Sequence, residues 1–429
     1  MPAPEHSIMV DAQGAELKSG INLSLLPRLA LPVILLLLLA LLPVATAKGS
    51  DLVGNAVLLG IVERHWSNYK QARSFEPGGM AAYLITPHAR YFAASGFNRP
   101  PEPDATHFRG ASTTKTFTAA AIMLLHQRGV INIDDTIDGF FPGSETHYVP
   151  ASSNYDIPYK SQITIRQLLG HRAGVFDVTN SEIPSTAQAP YAGQRYLEYI
   201  TKILGQTEHT FTFDELVGVV AANQLSYFAP GAGYHYSNTG YSILGKIIER
   251  ASGLSYAEFI RQHLLIPNGL GKTSFPYLGS DRDLPSPYAD GYSFEGGEVY
   301  ETTRDNMSGN TAEGNVITTP DDLANWGRLL FSGQAGLNQE TVAMMTDVQE
   351  TGQHGSNYGL GCNYAEGLGY GHNGAHEGYL TLLQYNPENG VAIVIFCSVI
   401  DFENLGGQLT LLYEVGRAAI SKLVSHPAR

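Results

Sequence analysis

The stretch RGASTTKTFTAAAIMLLHQRGV, residues 109–130, decides the fold because it opens a buried helix with two polar side chains. Residues 117–125 are almost all apolar, Ala, Met and Leu favour a helix, and Gly129 is a suitable stop. Ser112 and Lys115 are three residues apart at the start of this helix, so the lysine amine lies over the same face as the serine hydroxyl. A lysine in that position either reaches solvent or takes part in chemistry.

A Ser-x-x-Lys pair at a helix start is suited to acyl transfer. A serine hydroxyl is a poor nucleophile until a nearby base takes its proton, and Lys115 is placed to do so. The free N–H groups of the helix N-terminus also stabilise a developing oxyanion. The tetrapeptide alone leaves a capping-type role for Ser112 open. It also recurs at Ser67 and Lys70, where a solvated helix face explains it.

A second motif lies in GAGYHYSNTGYSILGKIIE, residues 231–249. Tyr236 and Asn238 stand in a glycine-rich loop just before an amphipathic helix. A tyrosine there can shuttle protons, and Asn238 can hold a substrate amide with both a donor and an acceptor. The alternative is that Asn238 or Thr239 caps the helix while Tyr236 packs.

The third motif lies in GYGHNGAHEGYLTLLQYN, residues 369–386. His372 and Gly374 lie on or beside a predicted strand, where glycine lets a substrate backbone approach closely. His376 is a rival of His372 for the same pattern.

The order of these motifs, at a helix start, a loop before a helix and a strand, resembles that of the penicillin-recognising serine hydrolases, the β-lactamase-like family. Tyr-x-Asn and His-x-Gly are similar to the branch that holds D-alanyl-D-alanine carboxypeptidases, class C β-lactamases, D-aminopeptidases and esterases. Residues 163–175 and 314–326 resemble two further motifs of the family. The resemblance runs from about residue 58 to the C-terminus.

The resemblance implies a catalytic role for four side chains. Ser112 would be the nucleophile, Lys115 its activating partner, Tyr236 the proton shuttle and His372 the side chain of the third motif. The family spacing from His-x-Gly to Gly-Tyr favours His372 over His376. Whether Lys115 or Tyr236 takes the first proton stays open, because two coupled groups titrate as a pair.

The resemblance also implies how the substrate is held. Asn238 would bind a substrate amide, and Gly374 would let the substrate approach the strand. The backbone N–H groups of Ser112 and Ala375 would form the oxyanion hole. His171 and Arg172 lie near the implied cleft, and a structural role is favoured for both.

The motifs predict an exported serine hydrolase that works by an acyl-enzyme on amide or ester bonds. A D-alanyl-D-alanine carboxypeptidase-like peptidase is the leading prediction, because His-Asn-Gly offers a β-lactam carboxylate less fixed charge than Lys-x-Gly does. A carboxylesterase, a β-lactamase and a penicillin-binding sensor that is acylated without turnover are the alternatives. The partner would be a small peptide or ester, with cell-wall peptides among the candidates. Insertions near 143–162 and 180–210 would reshape the pocket rim.

Bulk composition excludes several classes of protein. Apolar residues make up 43% and charged residues 15%, which is typical of a globular chain. A net charge of −14 argues against nucleic-acid binding, which needs a basic surface. Because the His, Cys and Asp residues lack metal-ligand spacing, we expect no metal and no cofactor. Cys362 and Cys397 either pair or stay free.

Residues 29–47 predict export. They carry no charge and end in Ala45-Thr46-Ala47, which is typical of a signal peptide cleaved after Ala47. An uncleaved anchor is the alternative, because the segment can just span a bilayer. We therefore expect a leader over 1–47 and one hydrolase domain over 55–425. The protein would be secreted or periplasmic, or anchored to the outer face of a membrane through 29–47 only.

Hydrophobic periodicity predicts an α+β fold. Strands are expected at both chain ends, over 80–86, 89–96, 358–364, 378–386 and 391–399. Helices are expected between them, over 112–128, 164–170, 213–222, 239–252, 255–264 and 320–331. One antiparallel sheet would be built from both chain ends, flanked by helices, with an inserted, mainly helical subdomain. Residues 277–315 are predicted to form an extended surface loop.

Overall fold

The computed structural model describes residues 52–54, 56–352 and 356–424. Strands within these residues are, in chain order, β1 Leu52–Gly54, β2 Met80–Ile85, β3 Arg90–Ser95, β4 Phe108–Ala111, β5 Tyr292–Glu295, β6 Glu298–Glu301, β7 Val316–Thr318, β8 Gln349–Glu350, β9 Asn357–Tyr358, β10 Asn363–Ala365, β11 Gly369–His376, β12 Tyr379–Asn386, β13 Val391–Cys397 and β14 Val399–Asp401. The main sheet has seven strands in the order β1-β3-β2-β13-β12-β11-β10.

The N-terminal and C-terminal parts of the described chain meet in the middle of this sheet. Strand β13 pairs antiparallel with β2, with Ile395 opposite Ala82. The neighbouring pairs are also antiparallel, apart from the parallel pair of β1 and β3 at one edge. The predicted antiparallel sheet assembled from both chain ends is therefore confirmed.

Helices cover the sheet and fill the middle of the chain. They are α1 Ala56–Arg73, α2 Thr114–Gln127, α3 Ile165–Leu169, α4 Tyr196–Glu198, α5 Phe213–Asn223, α6 Asn238–Ser252, α7 Tyr256–Ile260, α8 Ile266–Asn268, α9 Pro320–Phe331, α10 Gln339–Thr346 and α11 Leu405–Leu423. Two π-helical turns, Tyr199–Ile203 and Arg261–Leu265, follow α4 and α7, and short 3-10 turns lie at Ser153–Tyr155 and Met307–Asn310.

Strand β13 is apolar throughout because both of its faces are buried. Ile393 and Ile395 belong to a core that includes side chains of α1 and α11. Val394 and Phe396 point the other way, into the core that includes α2 and α9. A strand covered on both faces has no position that favours a polar residue, so the usual alternation of apolar and polar residues is absent.

Helix α9 shows how local sequence fixes an element boundary. The Thr319 hydroxyl accepts a hydrogen bond from the Asp322 N–H at 3.3 Å, and Pro320 occupies the first turn, where it displaces no helical hydrogen bond. The helix runs over Pro320–Phe331, the same bounds that the sequence predicts.

Two secondary-structure predictions were wrong. Residues 358–364 do not form one strand, because Gly361 has φ +77° and breaks the segment between β9 and β10. A Cβ on residue 361 would lie 2.2 Å from the Ala119 Cβ, so the close approach to α2 requires glycine. Residues 277–315 are not simply a surface loop, because β5 and β6 form a hairpin within them and Met307 is buried.

The predicted leader over 1–47 lies outside the described residues, as does the segment 29–47. Across residues 52–54, 56–352 and 356–424, no helix is long and apolar enough to cross a bilayer. Both cysteines lie within the described residues, and Cys362 and Cys397 are free and buried.

Candidate active site

Ser112 occupies the turn between β4 and α2. The preceding Ala111 has φ +50°, an uncommon value for a residue with a side chain, and this left-handed step turns the chain from the strand into the helix. The helix cap position is Thr113, not Ser112. The Ser112 hydroxyl is half-buried and accepts a hydrogen bond from the Lys115 amine at 3.2 Å. The structure therefore brings the two polar side chains of the first motif into contact.

Lys115 is fully buried, and its Nζ atom is surrounded by oxygen atoms. Besides Ser112, it contacts Asn238 Oδ1 at 2.7 Å and Glu313 at two atoms, the carbonyl oxygen at 2.8 Å and Oε2 at 3.2 Å. Burial lowers the pKa of Lys115, while the Glu313 carboxylate acts to raise it. A lysine with a lowered pKa gives up its proton more readily and can serve as a base.

Tyr236 lies directly beside the lysine. The Lys115 Nζ atom is 4.7 Å from the centroid of the Tyr236 ring. Burial raises the pKa of Tyr236 well above its ordinary value, and a contact with the Ser112 hydroxyl only partly opposes this increase. The phenol is therefore neutral at ordinary pH, a state in which it can donate a proton.

The helix cap of α6 is neither Asn238 nor Thr239. The Ser237 hydroxyl accepts the Gly240 N–H at 3.2 Å and caps the helix. The side chain of Asn238 is therefore not needed at the cap. It turns into the site, where its amide oxygen accepts the Lys115 hydrogen bond.

The amide of Asn238 is held at both ends. Its Nδ2 atom donates to Thr179 Oγ1 at 2.8 Å, and Thr179 Oγ1 donates to the buried Asp177 carboxylate at 3.0 Å. The oxygen is already engaged with Lys115. One N–H of the amide and the second lone pair of its oxygen remain unused by these two bonds, and the predicted role of Asn238 as a substrate ligand stays a prediction.

His372 is the third-motif histidine that faces Tyr236, at 6.1 Å between ring centroids. It is buried, with Nε2 at 2.8 Å from the Tyr358 hydroxyl and Nδ1 hydrogen-bonded to the Asn373 carbonyl. Burial lowers the pKa of His372 to about 3, and the charge of Lys115 adds to the effect. The imidazole is therefore neutral above acid pH, and both of its nitrogens are engaged.

His376 is placed differently from its rival. Its Nε2 atom bonds the Asp305 carboxylate at 2.7 Å. The ring of His372 rather than that of His376 thus belongs to the cluster around Tyr236, as the spacing of the motif predicted.

Gly374 brings the third motif against the backbone of Ser112. A Cβ on residue 374 would lie 2.3 Å from the Gly110 carbonyl oxygen and 2.9 Å from the Ser112 backbone nitrogen, so only glycine permits this approach. Ala375, the next residue, is exposed. In the described sheet β10 pairs with β11 only as far as Gly371. The role of the Ala375 N–H in an oxyanion hole stays a prediction.

His171 packs against Tyr236 and binds the backbone at the start of α6. Its Nδ1 atom accepts the Ser237 N–H at 3.1 Å, and its ring lies 4.2 Å from that of Tyr236. The neighbouring Arg172 donates to the Glu350 carbonyl at 2.7 Å. Both side chains hold backbone segments in place, which agrees with the structural role that the sequence favours.

Three residues of the site were not identified from the sequence: Glu313, Thr179 and Tyr358. Glu313 falls within the segment that was assigned to a surface loop, and Thr179 and Tyr358 carry no local motif. Each reaches the site only through a contact that joins distant parts of the chain.

Comparisons with known proteins identify the family and the fold. Residues 71–401 match the family model described as Beta-lactamase. Penicillin-binding protein 4* of Bacillus subtilis is 27% identical over 314 residues, which cover 70% of this chain and 62% of that protein. The match thus spans less than two thirds of the length of this relative.

Two solved structures share the fold. The D-stereospecific amidohydrolase from Streptomyces sp. superposes with a TM-score of 0.69 at 24% identity, over 84% of this chain and 98% of that one. The D-amino acid amidase from Ochrobactrum anthropi SV3 gives 0.68 at 23% identity, over 87% and 99%. At these identities the likeness establishes the fold alone. With a family match that covers most of the described residues, the chain belongs to the β-lactamase family.

Proposed function

We propose that the chain cleaves amide bonds through an acyl-enzyme formed on Ser112. The observation that carries this proposal is the contact of the Lys115 amine with both the Ser112 hydroxyl, at 3.2 Å, and the Asn238 amide oxygen, at 2.7 Å. Residues from two separate segments of the chain thereby meet at one atom. That convergence is what nucleophilic catalysis needs: a hydroxyl, a base in contact with it and a third group that orients the base.

In acylation, every proton that one group loses is taken up by another group of the site or by the leaving group. The lone pair of neutral Lys115 takes the Ser112 proton as Oγ bonds to the substrate carbonyl carbon, and the carbonyl electrons move to oxygen. Collapse of this intermediate breaks the bond to the leaving group. The leaving nitrogen takes the phenolic proton of Tyr236, which regains one from the Lys115 ammonium. We assign Lys115 as the first base because its pKa is lowered whereas that of Tyr236 is raised.

Deacylation repeats the sequence with water in place of the serine hydroxyl. Water bonds to the acyl carbon and gives its proton to the Lys115–Tyr236 pair, and Ser112 leaves with a proton from the same pair. The backbone N–H groups of Ser112 and Ala375 would stabilise the oxyanion in both halves, because donors fixed in advance stabilise developing charge most effectively.

We propose D-alanyl-D-alanine peptides, or other short amides of D-amino acids, as the substrate class. The neutral His372, with both nitrogens engaged, offers no fixed charge to a β-lactam carboxylate, which disfavours the β-lactamase alternative. The support for a D-amino acid substrate is the likeness in fold to the D-stereospecific amidohydrolase and the D-amino acid amidase named above. An esterase is the second candidate, because an ester needs only a better leaving group at the same site.

We propose further that the protein acts outside the cytoplasm, released by cleavage after Ala47. The support is the apolar segment 29–47 with its Ala-x-Ala ending. A cell-wall peptide would be within reach of an enzyme exported in this way.

A comparison of three substrates tests the proposal. Hydrolysis of a D-Ala-D-Ala peptide, p-nitrophenyl butyrate and nitrocefin is measured with the same preparation, with Ser112→Ala as the matched control. We expect the peptide to be turned over, nitrocefin to be slow and Ser112→Ala to be inactive. Faster nitrocefin hydrolysis than peptide hydrolysis would overturn the substrate assignment. A burst equal to one acyl group per enzyme, without turnover, would favour a penicillin-binding sensor.

A further inference from the structure

Glu313 and Lys115 form an ion pair at the floor of the candidate site. The Lys115 Nζ atom lies 3.2 Å from Glu313 Oε2, and the two side chains are 0% and 1% exposed. The other carboxylate oxygen, Oε1, accepts a hydrogen bond from Asn310 Nδ2 at 2.7 Å. The carboxylate is thus fixed on one side by an amide and directed on the other side at the lysine.

A buried carboxylate beside the base has an electrostatic consequence. When Lys115 takes a proton from Ser112 it becomes an ammonium, and a charge formed in a dry site is costly unless it is paired. Glu313 supplies the opposite charge at contact distance, 3.2 Å. Burial raises the pKa of the Glu313 carboxyl, and the charge of Lys115 is the largest influence that opposes this increase, so each member of the pair stabilises the charged form of the other. Burial lowers the pKa of Lys115, and the Glu313 carboxylate is the largest influence that opposes the decrease.

We propose that Glu313 is a positioning residue that sets the basicity of Lys115, by holding the ammonium that forms when Ser112 is deprotonated. The inference rests on the proposed function, because it takes Lys115 as the base of the reaction. Glu313 touches neither Ser112 nor the reacting carbonyl in this scheme and acts through the lysine alone.

The other groups around the lysine do not replace Glu313. Asp177 acts on the lysine only at longer range, with Thr179 and Asn238 in between. Tyr236 and Tyr241 present ring faces to Nζ at 4.7 and 5.4 Å.

Two histidines also face this cluster. Burial lowers the pKa of both His171 and His372, so each is neutral near neutral pH and supplies no compensating charge. Tyr256 lies within electrostatic range of Glu313, and burial raises the pKa of its phenol, so it too is neutral. Glu313 is therefore the carboxylate in direct contact with the amine among the described residues.

The effect on pH dependence has a definite sign. Acylation needs Lys115 in its neutral form, so the rate falls as pH decreases through the pKa of the lysine. Glu313→Gln removes the charge that stabilises the ammonium, and an opposite charge at this distance raises a pKa by about 1–3 units. The acid limb of the acylation profile should therefore move about 1–3 pH units lower. The plateau should fall by about tenfold or more, because a weaker base takes the serine proton less effectively.

The experiment measures the rate of labelling by a fluorescent fluorophosphonate from acid to alkaline pH. Wild type, Glu313→Gln, Glu313→Asp and Glu340→Gln are compared; Glu340 is exposed on α10 and serves as the matched control. We expect Glu340→Gln to match wild type. Glu313→Asp keeps the negative charge but increases its distance from the Lys115 amine. The acid limb of its labelling profile should therefore lie between those of wild type and Glu313→Gln.

Loss of fold alone lowers the amplitude of labelling without moving the limb, so the limb position separates the two effects. If Glu313→Gln gives no folded protein, the partial shift of Glu313→Asp decides. If the acid limb of the labelling profile lies at the same pH in wild type and in the Glu313 variants, the inference is wrong. The proposed function would not be affected by that result. No labelling of wild type at Ser112 would instead overturn the proposed function.

Discussion

Gly374 packs so closely on Ser112 that a Cβ on residue 374 would lie 2.9 Å from the Ser112 backbone nitrogen. The same Cβ would lie 2.3 Å from the Gly110 carbonyl oxygen, and neither contact involves a flexible side chain that could move away. Strand β11 and the turn that carries Ser112 can therefore pack this closely only because residue 374 has no side chain. This contact places the third motif beside Ser112.

Gly374→Ala should separate the strand from the serine and reduce acylation strongly. A displacement of about 1 Å at a reacting group can cost about 100-fold in rate. Gly271→Ala is the matched control, because a Cβ on residue 271 meets nothing within 4 Å and the backbone there is not left-handed. The labelling rates of the two variants by a fluorescent penicillin provide the measurement. Equal rates would show that the close contact has no catalytic importance.

Tyr236→Phe should keep the ring and remove the proton relay. Loss of a general acid–base group typically reduces a rate by about 10²- to 10⁴-fold. The loss should be larger for a peptide than for p-nitrophenyl butyrate, because an amide nitrogen must be protonated to leave whereas nitrophenolate leaves unaided. Steady-state kinetics on both substrates check this. An equal loss on both would assign Tyr236 to a packing role.

Lys115→Met should destabilise the fold by leaving the Glu313 carboxylate buried and unpaired. Removing one partner of a buried ion pair costs about 3–5 kcal/mol. Adding Glu313→Gln should recover part of that loss, because the double variant buries no charge. Urea unfolding of wild type, both single variants and the double variant gives the coupling between the residues. Strictly additive effects would mean that the pair does not interact in the folded protein.

The stability of the fold should fall as pH decreases from 6.5 towards 3, partly through His372. Its pKa is lowered to about 3 in the folded state, from 6.5, by burial first and by the charge of Lys115 second. Between these values the unfolded chain binds a proton that the folded chain does not. Each such proton lowers the free energy of unfolding by about 1.4 kcal/mol per pH unit of acidification. His171 contributes in the same direction.

His372→Gln removes one of these protons and should reduce the slope by about 1.4 kcal/mol per pH unit. The slope is measured by denaturant unfolding at several pH values across the window. His88→Gln, at an exposed position, is the control and should leave it unchanged. A slope in His372→Gln that equals that of wild type would show that this imidazole is already protonated in the folded protein.

The architecture of the sheet was predictable because its central strands are rich in apolar residues. The runs VAIVIFC in β13 and YLTLLQ within β12 are typical of buried strands. Because they follow the helical part of the chain, whereas two other strands precede it, they predicted a sheet built from both chain ends. The break at Gly361 was not predictable. Glycine is required there by an approach to Ala119, more than two hundred residues away, and no local pattern reports such a contact.

Five side chains of the candidate site were named from motifs, and the structure brings them together. Their spacing carried the information, as in the preference for His372 over His376. Glu313 was not identified because it lies in a segment without hydrophobic periodicity. Such a segment predicts a loop, in which a carboxylate is expected to be exposed to solvent. Its burial follows from the path of the chain after the β5–β6 hairpin, which brings it under α2. The supporting contacts of a site are thus less visible in a sequence than its reacting groups.

Intact-protein and peptide mass spectrometry after exposure to a fluorophosphonate or a penicillin tests Ser112 most directly. A single adduct on the peptide that contains Ser112, absent from Ser112→Ala, is the result expected if this serine is the nucleophile. An adduct on a different residue, or equal labelling of the Ser112→Ala variant, would contradict the assignment of the whole site.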